Sequence, residues 1–113
     1  AGIEGAVCAT VDYPLDVFDR VMAVNVRGTF LGLRYVLPVM QRQGGGAVVV
    51  TGSTGSHIAA PGVSAYVASK HAVLGLARAA ALEVARDGVR VNVVCPGSTD
   101  TRMLASLAAQ RSG

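Results

Sequence analysis

Two side chains four residues apart, Tyr66 and Lys70, have the types and the spacing for acid/base chemistry. Residues i and i+4 lie one turn apart on the same face of an α-helix, so the ammonium would lie beside the phenol. A free phenol has a pKa of about 10 and transfers protons poorly at neutral pH. A cation about 4 Å away, at an effective dielectric near 20, stabilises the phenolate by up to ~4 kcal/mol, which is roughly three pKa units. The pattern predicts a tyrosine that exchanges protons near its working pH. The alternative is a helical tyrosine that stacks on a surface lysine.

The sequence around this pair favours the acid/base interpretation. Lys70 is the only lysine among ten basic residues. The loop before Tyr66 follows an apolar run, 47–51, of the kind that forms a buried strand. In open α/β sheets, ligands bind beyond the carboxyl ends of the strands. Ser53 lies at this strand end, where its hydroxyl could meet a substrate oxygen; the alternative is a turn or capping serine.

Asn25 is a third polar residue in an unexpected place. It lies inside a predicted helix, between Val24 and Val26. Asparagine is a poor residue for a helix interior because its side chain competes for backbone groups. Two interpretations remain open: a buried amide whose hydrogen bonds are all made, or a break in the helical backbone that holds a water molecule.

The elements that must position these side chains alternate along the chain. Hydrophobic periodicity and the glycine and proline residues between the segments predict three helices and two strands, at about 15–42, 47–51, 64–86, 89–95 and 101–110. The short β-branched runs without polar alternation are typical of strands buried on both faces of a parallel sheet. This order predicts an α/β fold, a doubly wound parallel sheet with right-handed crossovers, in a single domain. With only two convincing strands, we expect the sheet to be incomplete.

Composition excludes several classes of protein. The chain has 113 residues, 51% of them hydrophobic and 15% charged, against roughly 25% charged in average soluble chains. Disorder is excluded, and an obligate oligomer or a piece of a larger domain is favoured.

The ten basic residues form no cluster, which argues against nucleic-acid binding. There is no 18-residue apolar run to cross a membrane and no Cys/His spacing for a metal. Cys8 and Cys95 are expected to be reduced thiols, and we expect a cytoplasmic protein.

Four motifs, in order, resemble those of the short-chain dehydrogenase/reductase family. They are Asn25-Val26-Arg27-Gly28, Ser53 thirteen positions before Tyr66, Tyr66-Val67-Ala68-Ser69-Lys70, and Asn92-Val93-Val94-Cys95-Pro96-Gly97. The opening Ala1-Gly2 is also similar to the end of a strand-end motif of that family. The resemblance covers residues 1–110.

The resemblance implies a role for each of four catalytic residues. Tyr66 would be the general acid/base for the substrate hydroxyl or carbonyl. Lys70 would lower the pKa of Tyr66 and hydrogen-bond the nicotinamide ribose. Ser53 would orient the substrate oxygen, and Asn25 would hold a water that links Lys70 to solvent.

The resemblance also implies a nicotinamide cofactor, NAD or NADP. Pro96 and Gly97, with Thr99 and Thr101, would contact the nicotinamide and its carboxamide. Gly2 would let the cofactor approach the backbone closely, and Tyr66 and Lys70 would face it as well. No metal is implied. The reaction would be hydride transfer between the nicotinamide and an alcohol or carbonyl substrate. Residues 96–101 also resemble the branch that oxidises dihydrodiols.

By the same resemblance, residues 1–113 would form the catalytic part of a Rossmann-type dinucleotide-binding domain. The family's N-terminal Gly-rich turn and its C-terminal strand are absent from the sequence, so we expect the isolated chain to be inactive and poorly soluble. The whole protein would form a homodimer or homotetramer through its long helices. Two alternatives stay open: an epimerase or dehydratase with the same Tyr/Lys pair, and a cofactor-binding homologue without catalysis.

Overall fold

A computed structural model of the chain describes residues 3–52 and 59–94. A long helical segment begins directly after Pro14 and has three parts: α1 (Leu15–Met22), a π-helical turn (Ala23–Arg27) and α2 (Gly28–Gln43). Proline has no N–H to lose at a helix start, and Asp16 in the first turn complements the positive end of the helix. The segment ends at Gly44, which has a φ of 79°. The predicted helix over 15–42 is confirmed, with a π-helical turn inside it.

The second helix lies between the two strands in the chain. It is α3 (Ser64–Val84), followed by a 3-10 turn at Ala85–Asp87. Gly88, with a φ of 73°, ends this turn in the left-handed region that favours glycine. The predicted helix over 64–86 is therefore confirmed, with its last residues in 3-10 geometry. The helix predicted at 101–110 lies outside the described residues.

The two strands, β1 (Gly46–Thr51) and β2 (Val89–Val94), pair in parallel. Gly46 is opposite Val89, and the register continues without a break. One further hydrogen bond, from the Gly52 N–H to the Val94 carbonyl at 2.7 Å, joins the chain just beyond β1 to the end of β2. The carboxyl ends of both strands thus meet at one edge of the sheet. The predicted parallel pairing is confirmed.

Both long helices pack on the same face of this sheet. The core contains buried side chains from α2, α3 and both strands: Leu33, Leu37, Val50, Val73, Ala77, Ala80, Val84, Val89 and Val91. On the opposite face Val49 is 63% exposed. Because side chains of a strand alternate between faces, a run of valines is divided between core and surface. The expectation that both faces are buried is wrong for the described residues, since no described helix covers the second face.

No helix in the described ranges is long and apolar enough to cross a membrane.

Candidate active site

Within residues 3–52 and 59–94, the buried polar and charged side chains are three: Asn25, Ser69 and Lys70. Their exposed fractions are 2%, 0% and 5%. Burying a polar group costs free energy unless it is hydrogen-bonded, and burying a charge costs more. Two of the three are residues that the sequence singled out. All three lie on α3 or on the π-helical turn that packs against it.

The π-helical turn places Asn25 against two other parts of the chain. The Asn25 Oδ1 accepts a hydrogen bond of 2.7 Å from the Ile3 N–H, and Nδ2 donates to the Ile3 carbonyl at 2.7 Å. The second N–H of the amide donates to the Ser69 Oγ at 3.0 Å. The Asn25 backbone carbonyl accepts from the Thr29 hydroxyl at 2.9 Å. The amide thus uses both of its N–H groups, as the first interpretation expects, and the helical backbone departs from α geometry at Asn25. The water molecule of the second interpretation stays a prediction.

Tyr66 and Lys70 lie in the first two turns of α3 and are each 5% exposed. The Lys70 Nζ is 5.7 Å from the centroid of the Tyr66 ring. Burial lowers the pKa of Lys70 from its ordinary value of 10.5, because a charged ammonium loses hydration there. In the described part of the chain, the Lys70 ammonium has no hydrogen-bond acceptor and no ion-pair partner. A cation with three donors thus lies next to a phenol and is open to a further ligand.

The start of α3 is tied to the segment that follows Gly2. Gly62, at a φ of 86°, forms the turn before the helix. Its carbonyl accepts a hydrogen bond of 2.7 Å from the Cys8 N–H. A Cβ on Gly62 would come within 3.1 Å of Val7 Cγ1, so glycine suits both the backbone and the close approach. The helix carrying Tyr66 therefore begins against residues 3–9.

Six predicted site residues, Gly2, Ser53, Pro96, Gly97, Thr99 and Thr101, lie outside the described residues. Their nearest described neighbours in the chain are Ile3, Gly52 and Val94. Gly52 and Val94 are hydrogen-bonded to each other, and Ile3 is bonded to Asn25. Of the four predicted catalytic residues, the structure describes Asn25, Tyr66 and Lys70. It links the helical segment of Asn25 to the helix of the other two through Ser69.

Sequence reasoning assigned no role to Ser69. Its signal was present, because serine is neutral to unfavourable in a helix interior and Ser69 interrupts an apolar, alanine-rich helix. Thr29 was also missed; it lies in the first turn of α2 and donates to the carbonyl of Asn25. The partners of both hydroxyls could not be predicted from the sequence.

A family model and the similar proteins of known name indicate the same family for this chain. The family model described as short chain dehydrogenase matches residues 1–112. A 2-(R)-hydroxypropyl-CoM dehydrogenase of Xanthobacter autotrophicus is 51% identical over 105 residues, which are 91% of this chain and 42% of that protein.

Two solved structures show the same fold. The crystal structure of NAD+-bound xylitol dehydrogenase has a TM-score of 0.83 and 40% identity, covering 86% of this chain and 37% of that one. A gluconate 5-dehydrogenase from Burkholderia cenocepacia, in complex with NADP and tartrate, has a TM-score of 0.85 and 29% identity, covering 97% of this chain and 44% of that one. The predicted Rossmann-type α/β fold class is confirmed.

The chain spans about two fifths of the length of the curated relatives it matches. The family model, however, matches nearly all of its residues. The protein chain therefore belongs to the short-chain dehydrogenase family.

Proposed function

We propose that this chain carries the catalytic centre of an NAD(P)-dependent oxidoreductase of the short-chain type. The reaction is hydride transfer between the nicotinamide and a small alcohol or carbonyl substrate, with Tyr66 as the acid/base. The observation that carries the proposal is the Tyr66–Lys70 pair: both side chains are buried, and the ammonium is 5.7 Å from the ring centroid. The pair lies at the N-terminal end of a helix that follows β1. Burying a charge beside a phenol there costs free energy, which favours a functional pair over a merely structural one.

The donor set of Lys70 fits a dinucleotide cofactor. The Lys70 side chain is 5% exposed and has no acceptor in the described part of the chain, and ribose hydroxyls are acceptors of the kind its ammonium lacks. Gly2, Pro96, Gly97, Thr99 and Thr101 are the further residues proposed to hold the cofactor. When bound, the nicotinamide supplies or accepts the hydride. The compared structures contain NAD+ in one case and NADP in another, so either dinucleotide suits the family.

The residues of this chain manage the proton. In carbonyl reduction, the Tyr66 phenol gives its proton to the substrate oxygen, and in alcohol oxidation the phenolate takes it. The Lys70 charge favours the phenolate, and Ser53 orients the substrate oxygen. The Asn25 amide has no N–H left for a water, since both donate to protein groups. A relay water at Asn25 would be held by oxygen acceptors, namely the backbone carbonyl or the second lone pair of Oδ1.

We further propose that residues 1–113 form the catalytic part of the dinucleotide-binding domain and that this part alone does not turn over substrate. The family model matches residues 1–112, yet the curated relatives are more than twice as long as this chain. Activity therefore belongs to the whole protein that contains this chain.

A homo-oligomer is proposed for the whole protein. On α3, small side chains at helical spacing share one face: Ala68, Ala72, Gly75 and Ala79. Apart from the half-buried Ala72, these residues are exposed in the described chain. Leu82, on the same face, is 82% exposed. Such a face permits close packing of a second helix.

The test uses the whole protein, purified with Tyr66→Phe and with Tyr35→Phe as the matched control. Tyr35 is 69% exposed on α2, so losing its hydroxyl should leave turnover unchanged. We expect Tyr66→Phe to lower kcat about 10²- to 10⁴-fold with secondary alcohols and either dinucleotide, followed by NAD(P)H absorbance. Full activity of Tyr66→Phe would contradict the acid/base role. Product formed without net reduction of added dinucleotide would instead indicate an epimerase or dehydratase, and cofactor binding without product a non-catalytic homologue.

A further inference from the structure

Ser69 lies where the π-helical turn meets α3. Its side chain is 0% exposed, and both kinds of hydrogen bond that a hydroxyl can make are used. The Ser69 Oγ accepts from Asn25 Nδ2 at 3.0 Å and donates to the Tyr66 carbonyl at 2.7 Å. The first of these bonds joins residues 44 positions apart. A serine in this position therefore connects two helical segments through a fully enclosed hydroxyl.

The Ser69 hydroxyl donates to a carbonyl that already belongs to the helical turn between Tyr66 and Lys70. In an α-helix, the carbonyl of Tyr66 is the acceptor for the N–H of Lys70, so it closes the helical turn between the two residues. The Ser69 hydroxyl adds a bond to that same carbonyl. The Ser69 hydroxyl thus links Asn25 directly to the helical turn that separates the phenol from the ammonium.

We propose that Ser69 is a positioning residue whose hydroxyl ties the Tyr66–Lys70 turn of α3 to the π-helical turn at Asn25 and so fixes the separation of phenol and ammonium. This inference rests on the proposed function, in which those two side chains handle the proton. Asn25 is itself anchored to the backbone of Ile3 by two hydrogen bonds of 2.7 Å. Through Asn25, Ser69 therefore connects the backbone of Ile3 to the helical turn that carries Tyr66 and Lys70.

Removing the hydroxyl has two consequences. The Ser69→Ala variant leaves the Asn25 Nδ2 with a buried N–H that lacks its acceptor, and it removes the hydroxyl's bond to the Tyr66 carbonyl. Lys70 is the buried charged side chain within the described residues, and its Nζ is 5.7 Å from the centroid of the Tyr66 ring. At an effective dielectric near 20, each ångström by which that charge recedes from about 6 Å raises the titration midpoint of the phenol by about 0.3 pH units.

The experiment compares Ser69→Ala, Ser69→Thr and Val73→Ala in the whole protein. Val73 is 1% exposed on α3, one turn after Lys70, and its truncation destabilises the core without touching these hydrogen bonds. Threonine keeps the hydroxyl and readily bonds to the carbonyl three or four residues earlier. Two quantities are measured: the pH profile of kcat/KM, and the titration of Tyr66 by ¹³C NMR of labelled tyrosine rings, assigned with Tyr66→Phe.

We expect Ser69→Ala to lower kcat/KM about tenfold and to move both the pH limb and the NMR midpoint upward, while Val73→Ala moves neither. Ser69→Thr should keep the wild-type midpoints, and this arm decides the matter if the alanine variant does not fold. Unchanged midpoints in Ser69→Ala, equal shifts in Val73→Ala, or shifted midpoints in Ser69→Thr would each overturn the proposal. The NMR titration needs no turnover, so an absence of dehydrogenase activity would contradict the proposed function and leave this test intact.

Discussion

Asn25 and Ile3 exchange two hydrogen bonds of 2.7 Å, one in each direction. The side-chain amide of Asn25 pairs with the backbone N–H and carbonyl of Ile3 much as an adjacent strand would. The pairing crosses 22 residues of sequence. It holds the segment that follows Gly2 against the π-helical turn, so Asn25 organises the candidate site even before any role in a proton relay.

We expect Asn25→Ala to lower the free energy of unfolding of the whole protein by about 2–4 kcal/mol. Three hydrogen bonds are lost, and the Ile3 backbone groups are left without partners in a part-buried place. The matched comparison is Thr29→Val, which removes a single hydroxyl bond to the same turn and should cost about 1 kcal/mol. Urea denaturation measures both. Equal losses in the two variants would show that the bridge to Ile3 contributes little.

Lys70→Met is expected to stabilise the whole protein in the absence of cofactor, by about 1 kcal/mol at pH 7, while abolishing turnover. The reason is that the lysine is 5% exposed and has no ion-pair partner in the described ranges, so its charge is buried at a cost. The control is Arg78→Met, on the same helix but exposed, where the effect should stay within about 0.5 kcal/mol. A clear loss of stability in Lys70→Met would indicate that the ammonium is well compensated.

The same lysine gives stability a definite pH dependence. Its folded-state pKa lies below 10.5, so between the two values the unfolded chain binds more protons than the folded one. Stability should therefore rise as the pH increases through the folded-state pKa towards 10.5, and the cost of the buried charge is fully present below it. The difference between wild type and Lys70→Met in urea should accordingly shrink as the pH approaches 10.5. A constant difference over this range would contradict the lowered pKa.

Gly5→Ala should destabilise the protein by about 2 kcal/mol or more. Gly5 has a φ of 75°, and an added Cβ would come within 2.6 Å of Val21 Cγ2 and 2.7 Å of the Tyr13 hydroxyl oxygen. That hydroxyl accepts a hydrogen bond from the Ala6 N–H, so it is not free to move away without loss. Gly32→Ala is the control, because a Cβ there meets nothing within 4 Å and alanine favours a helix by about 1 kcal/mol. Thermal unfolding that ranks the two variants the other way would refute the packing described for residues 3–9.

Ala79→Arg tests the proposed helix pairing. A long cation on the small-residue face of α3 would prevent close approach of a second helix, so light scattering should show a smaller assembly of the whole protein. Ala85→Arg is the matched control, since Ala85 is also exposed but lies in the 3-10 turn after α3, outside the small-residue face. An unchanged mass for Ala79→Arg would place the contact between subunits elsewhere.

The secondary structure was largely predictable because its signals are local. Pro14 and Gly44 delimit the first helical segment, and Gly88 separates α3 from β2. Val48, Val49 and Val50, by contrast, are three identical residues whose burial differs: Val50 is 8% exposed and Val49 63%. No local pattern distinguishes them. The difference arises because α2 and α3 pack on one face of the sheet.

By itself, the sequence determined the order of the helices and strands, the family, and the Tyr66–Lys70 pair, since an i, i+4 spacing on a helix already implies a shared face. Only the tertiary structure decided that Lys70 is buried over the Tyr66 ring without an ion-pair partner in the described chain, and that the Asn25 amide bonds to Ile3 and Ser69. The physical reason is the range of the contacts. Helical spacing acts within one turn, whereas these hydrogen bonds join residues 22 and 44 positions apart, and their existence depends on how the segments pack.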